Sequence, residues 1–250
     1  MRFPVLHFFS SFARHVTAGV LDLVYPRSCL LCGKLLEFDK PLYFCRNCLR
    51  NLPWIHARCR ECGRYLSAAG PVQSACKTCS ESRRFFDSGV SALLFDHPAK
   101  KLLFHMKYQG DFGLAAPLAG LMTRAYVKNA VSHPDWITFV PLHPFRFKER
   151  GFNQSELLAN EVGKRLRIRT FPALDRIRFD AVQASLDLRE RAKNIRNAFQ
   201  IKKKFNRKSD HVLLVDDVMT TGNTLNECAK ILKENGVSYI TVLTLMSVED

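Results

Sequence analysis

Residues 211–225, His211-Val212-Leu213-Leu214-Val215-Asp216-Asp217-Val218-Met219-Thr220-Thr221-Gly222-Asn223-Thr224-Leu225, restrict the fold more than any other stretch of this 250-residue chain. A β-branched apolar run ends in two adjacent carboxylates, a short Thr/Gly loop follows, and a helical pattern then begins. That order suits a sugar phosphate. Paired carboxylates at the carboxyl end of a strand can accept hydrogen bonds from two vicinal hydroxyls. The Thr220, Thr221, Gly222, Asn223, Thr224 loop at a helix N-terminus offers backbone N–H groups and hydroxyls to a phosphate. Gly222 is expected to let the backbone approach closely or take a positive φ. The bland alternative is an ordinary strand–turn–helix with an acidic strand end.

The rest of the chain past residue 85 alternates in the same way. Val90–Phe95, Trp136–Leu142, Val212–Val215 and Tyr239–Met246 read as strands. Residues 98–108, 114–130, 155–166 and 224–234 read as helices, the last stopped by Asn235-Gly236. Alternation of this kind implies βαβ units and a largely parallel sheet. Cys228 falls on the apolar side of the last helix with Leu225 and Leu232, so it is expected in the core.

Eight of the nine cysteines form four Cys-x-x-Cys pairs: Cys29/Cys32, Cys45/Cys48, Cys59/Cys62 and Cys76/Cys79. Gly33 and Gly63 follow two of them, as a knuckle turn requires. Two such pairs make one tetrahedral thiolate site, so the spacing predicts two structural zinc ions. Sequential pairing is the simplest, giving two ribbons in tandem; cross-braced pairing is the alternative. A module this small draws much of its folding energy from metal. Arg46, Arg50, Arg58, Arg60 and Arg64 interleave with Tyr43, Phe44 and Trp54. That mixture suits a nucleic-acid face, and for Tyr43 and Trp54 a hydrophobic plug within the module is an equal reading.

These signals divide the chain into a module of residues 1–85, an N-terminal helix plus the double ribbon, and an α/β domain of residues 86–250. The segment 5–24 reads as an amphipathic helix, not a signal peptide, with a membrane-surface helix as the lesser reading. No run of apolar residues is long enough for a membrane span. Lys and Arg number 38 against 23 Asp and Glu, a net charge of +15. That excess favours polyanionic partners, such as nucleic acid, anionic lipid or polyphosphate ligands; a basic solvated surface is the other reading.

A second cluster follows the Trp136 strand. His143, Arg146, Lys148 and Arg150 stand within eight residues, ahead of Gly151 and a helix. In an open α/β sheet, ligands bind outside the carboxyl ends of the strands, so this loop and the 220–224 loop can share a crevice. Cations there, with magnesium, would hold a pyrophosphate and stabilise its departure.

The 211–225 stretch resembles the phosphoribosyl-pyrophosphate (PRPP) motif of type I phosphoribosyltransferases. With the Cys-rich head, the Arg150-Gly151-Phe152-Asn153-Gln154 segment and the Gln183…Arg189…Arg191…Asn194…Phe199 segment, the chain resembles the ComF competence family over about residues 20–247. The resemblance implies a type I phosphoribosyltransferase-like fold: a mostly parallel sheet flanked by helices, preceded by a small zinc-ribbon module. It implies a cytoplasmic protein that takes part in uptake of single-stranded DNA during natural transformation, with a helicase of the uptake machinery as one partner. By the same resemblance, Asp216 and Asp217 hold the ribose hydroxyls, directly or through magnesium, and Thr220 to Thr224 bind the ribose phosphate. His143, Arg146, Lys148, Arg150 and Gly151 form the pyrophosphate loop, and Gln183, Arg189 and Arg191 belong to a flexible loop that closes over the substrate. Relatives that salvage 6-oxopurines carry an acid where this chain has Thr220, which argues against that acceptor. Three readings follow: a DNA-uptake protein binding PRPP and single-stranded DNA, with phosphoribosyl transfer an open question; a metabolic phosphoribosyltransferase; or a regulator that keeps the fold as a ligand sensor.

Overall fold

The computed structural model describes residues 28–36, 43–66, 75–96, 99–108, 110–129, 132–178, 197–203 and 209–249. The expected helix at 5–24 and the flexible-loop residues Gln183, Arg189 and Arg191 lie outside the described residues. The chain divides into two compact units, Met1–Leu52 and Pro53–Asp250.

In the first unit, a knuckle at Cys29–Cys32 is closed by Gly33, whose φ of 72° is left-handed and whose N–H donates to the Cys29 carbonyl at 2.8 Å. A short helix, α1 (Arg46–Arg50), follows; the thiol sulfur of Cys45 caps it by accepting from the Cys48 N–H.

The second unit is built on four parallel strands. They are β1 (Ser88–Leu94), β2 (Trp136–Phe139), β5 (Ser209–Met219) and β6 (Val237–Ser247), in the order β1-β6-β5-β2. The register sets Asp216 beside Thr244 and Val215 beside both Phe139 and Leu243. Val212, Leu213, Leu214 and Val215 are all fully buried. Alternate strand residues face opposite sides, so both faces of β5 are covered. That is why the stretch is apolar at every position instead of every second one.

One face receives α7 (Asn223–Glu234). Its Leu225, Cys228, Ala229 and Leu232 recur at helical spacing, and together they form one cluster with Val212, Leu214, Ile240 and Val242. Full burial of each leucine is worth about 2 kcal/mol. The helices α4 (Ala115–Asn129) and α6 (Gln154–Leu166) pack on the sheet and on each other. Ahead of α4 come α3 (Ala99–Tyr108) and a 3-10 turn at Phe112–Leu114. A short antiparallel pair, β3 (Leu174–Arg176) with β4 (Phe199–Ile201), was not expected from the sequence. With three residues per strand, it is too short to show an alternation.

The module boundary expected near residue 85 does not coincide with the compact units. The second ribbon, with its helix α2 (Lys77–Glu81), belongs to the unit that holds the sheet, and Cys59, Cys62, Cys76 and Cys79 share the cluster of α7. The cause is a backbone contact. A Cβ on Gly63 would stand 2.1 Å from the Gly89 carbonyl oxygen, so the knuckle and β1 touch where two glycines leave room. Trp54 joins the same packing, bridging to Leu93 and lying 5.3 Å beneath the Arg124 guanidinium. Among the described residues, no helix is long and apolar enough to cross a membrane.

Candidate functional site

Asp216 and Asp217 sit near the carboxyl end of β5, and their side chains leave the strand in opposite directions. Asp216 turns to the first turn of α6. Its Oδ1 accepts from the Ser155 hydroxyl at 2.7 Å and from the Asp217 N–H at 2.8 Å. Ser155 is placed by Asn153, the buried N-cap of α6. The Asn153 side chain accepts from the Ser155 N–H at 3.0 Å and donates to the Val140 carbonyl at 3.0 Å, tying the helix start to the end of β2. Asp217 turns to the last turn of α3 and pairs with Lys107 at 2.6 Å, both side chains being mostly buried.

Burial, followed by the charge of Asp217, pushes the Asp216 carboxyl up to about 7; Ser155, the Asp217 amide and Lys107 oppose that rise. Two carboxylates on adjacent residues, with one ammonium paired to Asp217, leave room for further positive charge or hydroxyl donors.

The 220–224 loop continues directly from β5. Gly222 has a φ of 77° and begins α7 as its N-cap, its carbonyl accepting from the Asn226 N–H at 2.9 Å. The Asn223 N–H donates to the Thr221 hydroxyl. On the other side, the loop carbonyls are held by two arginines of the second ribbon. Arg64 Nη2 lies 2.5 Å from the Thr220 oxygen, and Arg84 Nη2 lies 3.2 Å from the Thr221 oxygen.

The 143–151 stretch is a helix and not the expected loop: α5 (Pro144–Arg150). His143 is its N-cap, accepting from the Phe145 N–H at 3.1 Å, and Pro144 takes the first helical position. Gly151 ends it at a φ of 79°. Helix formation distributes the cations. Arg146 pairs with Glu149 at 2.8 Å within the helix. Arg150 lies 5.5 Å over the Tyr108 ring and reaches Gln154 at 3.4 Å.

Arg150 therefore joins a second feature beside the carboxylates. Phe104 and Tyr108, one helical turn apart on α3, stack at 4.8 Å and are 54% and 63% exposed. A cavity of about 510 Å³ runs along this face, lined by Phe95, Lys100, Lys101, Phe104, Tyr108 and the same Lys107 that pairs with Asp217. Exposed rings edged with cations suit a nucleobase next to phosphate. Lys107, Ser155 and Arg84 were not singled out as site residues from the sequence; Arg64 was named only for the nucleic-acid face and Asn153 only within the 150–154 segment. Of these, Asn153 and Ser155 carried a usable signal, an N-cap residue opening an apolar-periodic helix.

The cysteines gather as Cys29, Cys32, Cys45, Cys48 and as Cys59, Cys62, Cys76, Cys79, the sulfurs of each set lying within 4.8 Å of one another. The grouping is sequential. Cys32 and Cys45 sulfurs are 3.8 Å apart, and Cys62 and Cys76 sulfurs 3.7 Å. Thiolates about 2.3 Å from a tetrahedral zinc stand about 3.8 Å from each other, so both sets fit zinc. The second set is buried throughout, whereas Cys32 of the first is exposed.

Comparison with known proteins agrees with both halves of this description. The Double zinc ribbon domain family matches residues 20–81, and the Phosphoribosyl transferase domain family matches residues 153–250. The chain is 31% identical over 206 residues to Competence protein F of Haemophilus influenzae, covering 79% of this chain and 86% of that protein. It is 31% identical over 228 residues to DNA utilization protein YhgH of Salmonella typhimurium, covering 89% and 98%. Competence protein ComFC of Streptococcus pneumoniae is 27% identical over 244 residues, covering 87% and 99%. With a type I phosphoribosyltransferase-like fold, two clusters of four cysteines and relatives of this identity along most of its length, the chain belongs to the ComF competence family.

Proposed function

We propose that this protein binds PRPP with magnesium at the carboxyl end of β5 and engages single-stranded DNA beside it, as a cytoplasmic component of DNA uptake. The observation that carries the reading is the adjacency of three features. The Asp216–Asp217 pair runs directly into the loop that opens α7, and Lys107, which touches Asp217 and lines the α3 cavity, joins the pair to the aromatic face of α3. The carboxylates suit the two ribose hydroxyls. The hard oxygens of Asp216 and Asp217 also suit magnesium, which would neutralise the phosphates and favour departure of pyrophosphate. The loop N–H groups at the start of α7 suit the ribose phosphate. Phe104 and Tyr108, with Lys100, Lys101 and Arg150 around them, suit a base and its phosphates.

Phosphoribosyl transfer is the chemistry these groups would support. An oxocarbenium-like sugar would develop next to Asp216 and Asp217 while negative charge gathers on the pyrophosphate. Arg146 pairs with Glu149 on α5, an exposed pair weak enough for a pyrophosphate to displace, and a catalyst and a sensor would use the same groups.

The test is calorimetric titration of PRPP with magnesium into the zinc-loaded wild type and into an Asp216→Ala/Asp217→Ala variant. Binding by the wild type and its loss in the variant is the expected result. A folded, zinc-loaded wild type that binds no PRPP refutes the reading. Single-stranded DNA affinity is expected to fall steeply with salt and to drop in Phe104→Ala/Tyr108→Ala. Pyrophosphate exchange separates catalyst from sensor.

A further inference from the structure

We propose that Arg64 and Arg84 of the second zinc ribbon are positioning residues for the phosphate-binding loop, so that the metal-bound ribbon is part of the binding site and not an appendage to it. The inference rests on reading residues 220–224 as the phosphate loop.

In a trans peptide, the carbonyl of one residue and the N–H of the next point in opposite directions. Arg64 holds the Thr220 carbonyl and Arg84 holds the Thr221 carbonyl. Fixing those two oxygens toward the ribbon fixes the N–H groups of Thr221 and Gly222 away from it. Two consecutive amides are thereby aimed to one side of the loop, just where the chain turns left-handed at Gly222 and starts α7. Backbone amides arrayed in this way are an anion site prepared before the ligand arrives. The Thr220 and Thr221 carbonyls are held from residues 156 and 137 positions away.

Both arginines depend on the cysteine scaffold. Arg64 follows the knuckle glycine Gly63 and is 3% exposed. Its own carbonyl closes the knuckle by accepting from the Cys59 N–H at 2.8 Å, and the next residue, Tyr65, donates from its N–H to the Ser247 hydroxyl at 3.3 Å. Arg64 Nη1 also meets the Thr78 hydroxyl, between the ligands Cys76 and Cys79. Arg84 stands beside the Cys79 side chain and lies 5.8 Å from the Phe86 ring. A metal held by four thiolates would keep a net negative charge, so Arg84 would lie between the charge of the cluster and the loop carbonyl, while Arg64 is tied to the ribbon through Thr78. Removing the metal would release Cys59, Cys62, Cys76 and Cys79, and with them both anchors.

The experiment compares the full zinc-loaded chain with Arg64→Met/Arg84→Met, with Arg64→Lys/Arg84→Lys, and with Lys164→Met, whose side chain is 72% exposed, as a control. Zinc content, hydrogen exchange of the segment 217–226 and Mg·PRPP titration are measured on each. In the Met pair, with zinc content unchanged, exchange in 217–226 is expected to rise at least tenfold and Mg·PRPP affinity to fall at least tenfold. The Lys pair should recover part of both, and Lys164→Met should match wild type. Unchanged loop exchange in a folded, zinc-replete Met pair overturns the proposal. If that variant does not fold, zinc is withdrawn stepwise from the wild type with a chelator. Loop exchange should then accelerate while β5 and β6 amides stay protected; a loop that keeps its protection after the second ribbon has lost metal overturns the proposal. A wild type that fails to bind PRPP refutes the proposed function, and hydrogen exchange still decides the role of the two arginines.

Discussion

Replacing Asp216 by Asn isolates the energetic tension at the strand end. Asn keeps a carbonyl oxygen for the Ser155 hydroxyl and the Asp217 amide but carries no charge. In the wild type, the folded chain raises the Asp216 carboxyl from 3.8 to about 7 through burial and the neighbouring charge of Asp217. The folded state therefore holds this proton more tightly than the unfolded state does. The resulting penalty on folding is absent below the unfolded value, grows as pH rises from about 4 to about 7, and is constant above that. Each tenfold step in proton affinity is worth about 1.4 kcal/mol, so the penalty is about 3 kcal/mol at pH 6 and about 4 kcal/mol at pH 8.5. Zinc thiolate sites remain loaded across that range, whereas a more acid comparison would strip them.

Asp216→Asn should thus be more stable than wild type, and its advantage should widen by about 1 kcal/mol between pH 6 and pH 8.5. In thermal melts of a unit of this size, the widening is about 2–4 °C. Urea titration at pH 6.0, 7.0 and 8.5 and constant ionic strength measures it directly. Lys107, Asp217 and Cys228 are common to both proteins and largely cancel in the difference. An advantage that stays constant with pH, or narrows toward pH 8.5, would refute the assignment of the raised proton affinity to Asp216.

The two knuckle glycines should respond differently to alanine. Both are left-handed, but a Cβ at Gly33 meets open space and one at Gly63 meets the Gly89 carbonyl at 2.1 Å. Gly33→Ala should cost about 1 kcal/mol and Gly63→Ala more than about 3 kcal/mol, read as urea midpoints or, for the second, as loss of soluble protein. Equal effects would count against the close approach of the second knuckle to β1. Asn153→Ala removes the cap of α6 and the bond to Val140, and should lower stability by about 1–2 kcal/mol in equilibrium unfolding while weakening Mg·PRPP binding through Ser155. Metal release to a chromogenic chelator should occur in two phases of equal amplitude, the faster from the set containing exposed Cys32 and the slower from the buried set. A single phase would contradict the difference in burial.

Much of this protein could be read locally. The run from Val212 to Val215 is continuously apolar because both faces of β5 are covered there, and that run with its two carboxylates and loop lies within fifteen consecutive residues. The apolar positions of α7, with Cys228 among them, follow helical spacing and point to one face. The Cys-x-x-Cys spacing is set by the reach of a knuckle around one metal. The helix α5 was also legible, with Pro144 at its first position and Gly151 after its last, but its density of cations drew the reading toward a loop.

The contacts that turn these parts into a site were not legible, because each joins segments far apart in the chain. Lys107 meets Asp217 across 110 positions of sequence, and Arg64 meets Thr220 across 156. A lysine on an amphipathic helix, or an arginine after a zinc knuckle, has the same local pattern whether it faces solvent or a carbonyl oxygen. The sequence alone determined the strand–carboxylate–loop–helix unit, the two thiolate clusters and the parallel α/β class, since each follows from spacing within a few turns or residues. Tertiary structure alone decided that the second ribbon belongs with the sheet, through the contact of Gly63 with Gly89, and so decided which side of the 220–224 loop the Thr221 and Gly222 amides face.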